Sequence, residues 1–586
     1  MQPRPPLSRI PIAHLAALGL VLPFVLKPPH IDEESYLFIA QAIQDHPLRP
    51  YDWWRAWQPW IEPGTPFYVY AHPPLFLWYL CGIGHLIGFG HPWHLRVAMF
   101  PFIVLLVSAL SSLTRSLTHA PRRAALALLS APGLLLVLHQ SLMIDLPFVA
   151  LSLKALSHLL RREKTEPARA AWVGGLWLGA AALTKYPALV LLPLGFVSLR
   201  DHRKPIDVGS GGRFLVGAML LFIPWQFWTW LQYGEAHLLF VLSHAEEIAH
   251  SPFSARAVGL LSQLGASVLG VPILLWAILS SKHERHRLLL ALLGTIGLAL
   301  FLHAVPRPSA PLPPGRLGRL MDSFVGIVPT APLNQAFLVA TLFLGLRLIL
   351  LPRARHVSDR FLLAWSALTL GSVLLGHNFV GARYLVPAAI PLGLLTWRRL
   401  ERAHSSTIPK HFPFALIANA AITLWVARAD YRLAEAYPNL ALMLDDSGLL
   451  AGHEPASIFF IGEWGFRREM ASRHYRFARP DIPLHPGDLL ILPHIAGPPA
   501  PPDEISAREL GRLSIGTPGL RVLAPGEGIG FYSEAIGLLP YGWGKGPLEA
   551  ISVWEIESDA RENDASTGKG SERQSRPRGE KSIRSP

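Results

Sequence analysis

RAAWVGGLWLGAAALTKYPALVLLPLGFVSLR, Arg169 to Arg200, is one long apolar run broken at Thr184-Lys185-Tyr186-Pro187 and closed at both ends by arginine. A spanning helix needs about 20 apolar residues, and Lys and Arg collect in loops on the cytoplasmic side of a bilayer. If both basic ends face the cytoplasm, the run must cross twice. It reads as a short hairpin with Lys185 near the outer surface.

The same parity rule threads the rest of the chain. Basic loops at Arg115–Arg123, Arg161–Arg169, Arg200–Arg213, Lys282–Arg287, Arg353–Arg360 and Arg398–Lys410 mark the inner face. Between Arg123 and Arg161 the apolar run breaks at Met143-Ile144-Asp145-Leu146-Pro147, which puts Asp145 outside. Between Arg360 and Arg398 it breaks at His377 to Tyr384, which puts Arg383 outside. Tyr233–Phe253 and Pro306–Pro332 become outer loops, the latter carrying Arg307, Arg316 and Arg319 against the charge rule. Pro73–Gly90 is apolar but would break parity as a span, so it reads as an interfacial or re-entrant element. The stretch Ile10–Leu26 follows Arg4 and Arg9 and is followed by Lys27-Pro28-Pro29-His30 rather than a small-residue cleavage site, so it reads as a retained helix. The expectation is about 13 spans with the N-terminus inside.

Composition agrees with a membrane chain. Of 586 residues, 51% are hydrophobic and 16% charged, against about a quarter charged in soluble proteins. The net charge of +13 sits largely in short loops between apolar runs, so it is no nucleic-acid signal. One cysteine, Cys81, excludes an intramolecular disulfide. After about Asp430 the sequence reads as soluble: Ser457–Ile461 and Asp488–Leu492 as buried strands, Glu463–Tyr475 as a helix, Pro486-Gly487 as a turn. Three parts are expected: a membrane domain over 1–429 with a first outer loop at 28–73, a small α/β domain over 430–557, and a disordered polar tail over 558–586. No internal repeat and no nucleotide-binding glycine loop is evident.

The outer face gathers the residues that could do chemistry. The first loop opens with His30-Ile31-Asp32-Glu33-Glu34-Ser35-Tyr36, where three acids at a helix mouth are either solvated or employed. Trp53, Trp54, Trp57 and Trp60 follow, as in an interfacial aromatic belt. Asp145 is the single acid between Arg123 and Glu163; a lone intramembrane acid is functional by default, with helix capping as the plainer reading. Lys185 could simply snorkel to headgroups, and Arg383 could anchor a lipid phosphate. Yet basic loops alone deliver Asp32, Asp145, Lys185 and Arg383 to one face. Carboxylates that deprotonate an acceptor, beside cations that stabilise a phosphate leaving group, suit glycosyl transfer from a phospholipid-borne sugar.

At these residues the chain resembles the GT-C superfamily of membrane glycosyltransferases, and within it the branch of aminoarabinose-lipid A transferases and dolichyl-phosphate-mannose protein mannosyltransferase-like proteins, glycosyltransferase family 39. The similar pieces are Asp32-Glu33-Glu34-Ser35-Tyr36, Pro73-Pro74-Leu75-Phe76-Leu77-Trp78, Ile144-Asp145-Leu146-Pro147, Gly179 to Lys185 before Tyr186-Pro187, and Arg383-Tyr384-Leu385-Val386-Pro387. They cover about Ile10 to Trp397; each is weak alone, and order and spacing make the match specific. The resemblance implies a GT-C-like α-helical membrane protein with a periplasmic C-terminal domain in a bacterial inner membrane. It also implies inverting transfer from a polyprenyl-phosphate sugar to a lipid, glycan or protein acceptor. Asp32 would be the general base or acceptor-orienting group and Asp145 the second acid, with Glu33 in support. Lys185 and Arg383 would hold the donor phosphate, with His72 beside them. One departure matters: aminoarabinose transferases carry Glu-Lys before the Pro-Pro pair, whereas here Ala71-His72 stands there. That puts in doubt a lipid A acceptor and any bound metal, so a divalent ion is left open. The competing readings are a transporter or flippase, which would ordinarily show internal repeats, and a non-catalytic subunit of envelope polysaccharide assembly.

Overall fold

The computed structural model describes residues 12–53, 72–139, 142–160, 167–198, 208–244, 251–279, 285–305, 320–350, 356–403, 411–479, 482–498, 500–501 and 505–557. Trp54, Trp57, Trp60, Ala71, Arg307, Arg316, Arg319 and the tail from Ser558 lie outside the described residues.

Among the described residues, the regular elements as far as Asp446 are helices. Among the described residues four are long and apolar enough to cross a membrane: Pro92–Leu117, Gly209–Tyr233, Pro332–Ile349 and Phe412–Asp446. A fifth crossing results if Pro121–Leu129 and Pro132–His139, bent by 68°, count as one. Leu215, Val216, Leu220, Ile223, Phe227 and Trp230 all lie exposed along Gly209–Tyr233. That much outward apolar surface on one helix fits hydrocarbon and not water. The protein is a multi-pass helical membrane protein. Several expected crossings are shorter: Asp145–Leu160 and Pro167–Ala182 have 16 residues each, about 24 Å at 1.5 Å per residue. Pro73–Gly90 carries a 13-residue helix, Leu75–Ile87.

Small residues set a close helix crossing. Added Cβ atoms at Gly175 and Gly179 would fall 2.2 Å from the Phe214 carbonyl and 2.5 Å from that of Ala218. Pro167–Ala182 therefore lies directly on the backbone of Val208–Tyr233, as small residues permit in membranes. The bend between Pro121–Leu129 and Pro132–His139 follows from Pro132, which brings no N–H to the turn. The Ser130 carbonyl there accepts from Asn419 Nδ2 at 2.9 Å and Thr423 Oγ1 at 2.7 Å, so a helix distant in sequence satisfies the break.

Beyond Asp446 the regular elements of the described residues are mostly strands. β1 (Ile458–Phe460), β2 (Arg476–Phe477), β3 (Leu489–Pro493), β4 (Ala507–Ile515) and β9 (Glu549–Ile556) form one sheet in the order β2-β1-β3-β9-β4. β1 runs parallel to β2 and β3, while β9 runs antiparallel to β3 and β4. Two small ladders lie between: β5 (Gly519–Arg521) with β8 (Gly542–Gly544), and β6 (Leu523–Ala524) with β7 (Ile529–Gly530). The expected strands at 457–461 and 488–492 are β1 and β3, and the expected helix is Trp464–Ser472. Gly487, at φ 89°, makes the turn before β3. Side-chain alternation sends Ile458, Phe460, Leu489 and Ile491 to one face, where Tyr437, Leu440 and Leu444 of Phe412–Asp446 cover them. That helix passes through position 430, so one element packs in both the helical bundle and the sheet.

Candidate active site

Each break in the apolar pattern becomes a helix start preceded by a charged residue. Asp145 opens helix Asp145–Leu160, with Pro147 in its first turn, and a carboxylate suits that positive end. Lys185 is extended and precedes the 3-10 turn Tyr186–Leu191, whose Pro187 cannot continue a helix backward. Arg383 lies in the 3-10 turn Ala382–Leu385 ahead of helix Val386–Ala403. The Pro73-Pro74 pair delivers the Leu75 N–H to the Leu183 carbonyl at 3.0 Å, tying the end of the first loop to the Lys185 turn.

The four charged residues expected on one face meet in a row. Lys185 Nζ donates to Asp145 Oδ1 at 2.8 Å. Arg383 NH1 lies 3.8 Å from Asp145 Oδ2, an oxygen with no hydrogen-bond partner among the described residues. Arg383 NH2 donates to Asp32 Oδ2 at 2.7 Å and to Tyr384 Oη at 3.0 Å. Acids and cations alternate: Asp32, Arg383, Asp145, Lys185. The last three are buried, whereas the Asp32 side chain keeps 39% of its surface exposed. Asp32 is the open end of the row.

At the other end, Asp145 and Lys185 reach a small cleft whose wall is otherwise Phe148, Pro187, Leu191, Thr369, Ser372, Val373, His377, Tyr384 and Pro387. The Tyr384 ring lies 4.5 Å from Lys185 Nζ and 4.8 Å from the Arg383 guanidinium carbon, and it stacks on His377 at 4.7 Å. Cation–π contact of this kind orients both cations. Among the described residues, no group of three or more His, Cys, Asp and Glu side chains gathers that could hold a metal ion.

Glu33 and His72 stand differently. Glu33 is buried, and both its oxygens accept from Arg96, at 2.8 and 2.7 Å. Burial pushes its carboxyl up, but Arg96 and Lys27 prevail and hold it at about 2. Glu33 is thus an ionised anchor turned to Arg96 rather than to the cleft. His72 packs its ring 6.1 Å from that of Tyr36, and burial together with the charge of Lys185 lowers it to about 3. At neutral pH it is an uncharged imidazole beside the row, suited to hydrogen bonding rather than charge pairing.

Residues 71–228 match the family model described as dolichyl-phosphate-mannose-protein mannosyltransferase. The GT-C resemblance stands. The matched segment contains His72, Asp145 and Lys185; Asp32 and Arg383 lie outside it. Two solved structures, ArnT from Cupriavidus metallidurans in the apo state and bound to undecaprenyl phosphate, are similar at 14% identity. Each match covers 82% of this chain and 92% of the other, with a TM-score of 0.36, too loose a superposition to transfer residue roles. No curated protein matches the chain.

A second polar cluster lies behind Asp32 and escaped sequence reasoning. Lys27 Nζ donates to Asp430 Oδ2 at 3.0 Å, and His30 Nε2 lies 3.1 Å from Asp430 Oδ1, all three side chains being buried. Arg96 Nε also donates to the Lys27 carbonyl at 3.1 Å. Asp430 had a readable signal: it is the first acid in the run that begins at Phe412, and an acid within an apolar helix calls for a partner.

Proposed function

We propose that this protein transfers a sugar from a polyprenyl-phosphate donor to a lipid, glycan or protein acceptor of the cell envelope, with inversion. The reaction takes place on the periplasmic side of a bacterial inner membrane. The protein would be a lipid-linked-sugar-dependent glycosyltransferase threaded about 13 times, its N-terminus cytoplasmic. Residues 1–429 would form the catalytic membrane domain with its first loop at 28–73, and residues 430–557 a periplasmic domain. The observation that carries this reading is the row Asp32–Arg383–Asp145–Lys185, running from an exposed carboxylate to an apolar-walled cleft.

In this mechanism Asp32 accepts the proton of the acceptor hydroxyl while that oxygen bonds to the anomeric carbon. The bond from that carbon to the phosphate oxygen breaks on the opposite side, which inverts the centre. The charge on the departing lipid phosphate is met by Lys185 and Arg383, already fixed in a site of low water content. Arg383 donates to Asp32, so an arriving phosphate competes with Asp32 for the guanidinium. Asp145 holds Lys185 in place between turnovers, and His72 adds an uncharged donor or acceptor nearby. The membrane supplies the lipid chain; the cleft wall of Phe148, Leu191 and Val373 offers it apolar contact.

The test is binding of undecaprenyl phosphate to the purified full chain in detergent. Lys185→Ala and Arg383→Ala each lose more than about tenfold in affinity, some 1.4 kcal/mol or more, and Asp32→Asn binds at least as tightly as wild type. Affinities unchanged in both cation variants would remove the donor site from this row.

A further inference from the structure

The segment Phe531–Glu534, between β7 and β8, lies against Arg383. The Ala382 N–H donates to the Phe531 carbonyl and the Glu534 N–H to the Val380 carbonyl, both at 2.9 Å. The Glu534 carboxylate in turn accepts the Val380 N–H. Gly381 permits the approach: a Cβ there would fall 2.4 Å from the Tyr532 carbonyl oxygen. The segment is also anchored from the bundle side, where Gln263 Nε2 donates to the Gly530 carbonyl at 2.9 Å. Val380 and Ala382, just before Arg383, are therefore paired to a turn from about 150 residues further along.

The same stretch reaches Asp32. Tyr532 is buried, and its hydroxyl donates to Asp430 and lies 3.1 Å from His30 Nε2. The Arg383 guanidinium carbon sits 5.9 Å above its ring. His30 is two residues from Asp32, and Ile31 between them has φ 53°, a conformation that a β-branched residue adopts at a cost and keeps only when its neighbours are held. On the other side Glu33 is fixed by Arg96. Asp32 thus projects from a strained loop clamped at both flanks, and one of the clamps is Tyr532.

We propose that Phe531–Glu534 is a positioning brace for the Asp32–Arg383 pair. Tyr532 fixes the Asp32 loop through His30 and Asp430, and Glu534 with the Phe531 carbonyl fixes the Arg383 turn. The soluble part of the chain then completes the site instead of only covering it. The proposal rests on the donor-site reading given above.

The brace has two arms, and two substitutions separate them. Tyr532→Phe keeps the ring under Arg383 and removes only the hydroxyl. Glu534→Ala removes the acceptor for the Val380 N–H, whereas Glu534→Gln retains one. In the purified full chain, hydrogen exchange in Tyr532→Phe speeds up across 30–36 and not across 380–385. Glu534→Ala does the reverse, loses about tenfold in undecaprenyl phosphate affinity, and is rescued by Glu534→Gln. A merely structural role would lower the melting temperature and loosen both segments together, which overturns the brace. Retained affinity in Glu534→Ala alongside lost affinity in Arg383→Ala overturns the brace alone. Unchanged affinity in Arg383→Ala overturns the brace, and unchanged affinity in Lys185→Ala as well overturns the donor-site reading with it.

Discussion

Asp145 and Lys185 are both buried, and desolvating two charges offsets most of their attraction, so the pair as a whole contributes little to stability. Removing one partner is another matter. Lys185→Met leaves the buried Asp145 carboxylate with Arg383 at 3.8 Å as its weaker remaining partner, at an expected cost of about 2–3 kcal/mol, below that of a wholly unpaired buried charge. Thermal melts in detergent should show a large fall for that variant and a partial recovery in Asp145→Asn/Lys185→Met, the coupling being read from the double-mutant cycle. A single-variant cost under about 1 kcal/mol would mean the pair is wetter than its burial implies. Glu34 gives a pH prediction of the opposite sense to most acids. Burial pushes its carboxyl up to about 7 although Arg468 lies 3.2 Å away. The folded state then holds a proton that the unfolded state has lost, so stability is greatest below the ordinary carboxylate range and declines as pH rises to about 7. For one such group the loss is on the order of 3 kcal/mol. Glu549, also raised to about 7 by burial, adds to the same slope. Melting temperatures measured from pH 5 to pH 8 should fall in wild type and fall less in Glu34→Gln; equal slopes would show that Glu34 is ionised throughout.

At the scale of elements, the broken helix Pro121–His139 depends on a helix nearly 300 residues away. Asn419→Leu and Thr423→Val would each leave the Ser130 carbonyl with one donor fewer, at about 1–3 kcal/mol where the group stays buried. The double substitution should exceed either single one in loss of melting temperature; additive costs near zero would mean that Ser130 finds its partner within its own helix. This level also shows what sequence can and cannot disclose. Asp145, Lys185 and Arg383 were legible because a lone charge in an apolar run must sit at an end, and basic loops fix which end. Parity assigned them to one face; that they meet in a row is geometry the sequence does not carry. Two strands of the sheet, β1 and β3, were legible from short apolar runs and a Pro-Gly turn, whereas β2, β4 and β9 were not singled out. The Lys27–Asp430 pair was not, because 403 residues separate its members and no periodicity links them. The partner of Glu33 was hidden likewise: Arg96 sits in an apolar helix start that resembles any membrane-edge arginine. The number of crossings was the least legible feature, since proline-broken runs such as Tyr186–Ser198 divide into pieces too short to weigh singly.

For the whole molecule, the shared cluster of Phe24, Ile31, Leu136, Val426, Leu433, Val522, Phe531 and Tyr541 joins the bundle to the chain beyond Asp446. Surfaces buried jointly unfold jointly, so the full chain should melt in one transition, and Asp430→Leu, which orphans Lys27, should lower it as a unit. Two separated transitions in wild type would contradict a common core. The account makes Asp32 the proton acceptor of a sugar transfer, and that claim has a direct assay. Purified wild type and Asp32→Asn are incubated with a panel of radiolabelled polyprenyl-phosphate sugars and envelope acceptors, and product is counted. The account predicts transfer from at least one donor by wild type, and its loss in Asp32→Asn while undecaprenyl phosphate binding is retained. Transfer by Asp32→Asn at the wild-type rate would contradict it, and no transfer from any donor by either form would favour a transport or assembly role.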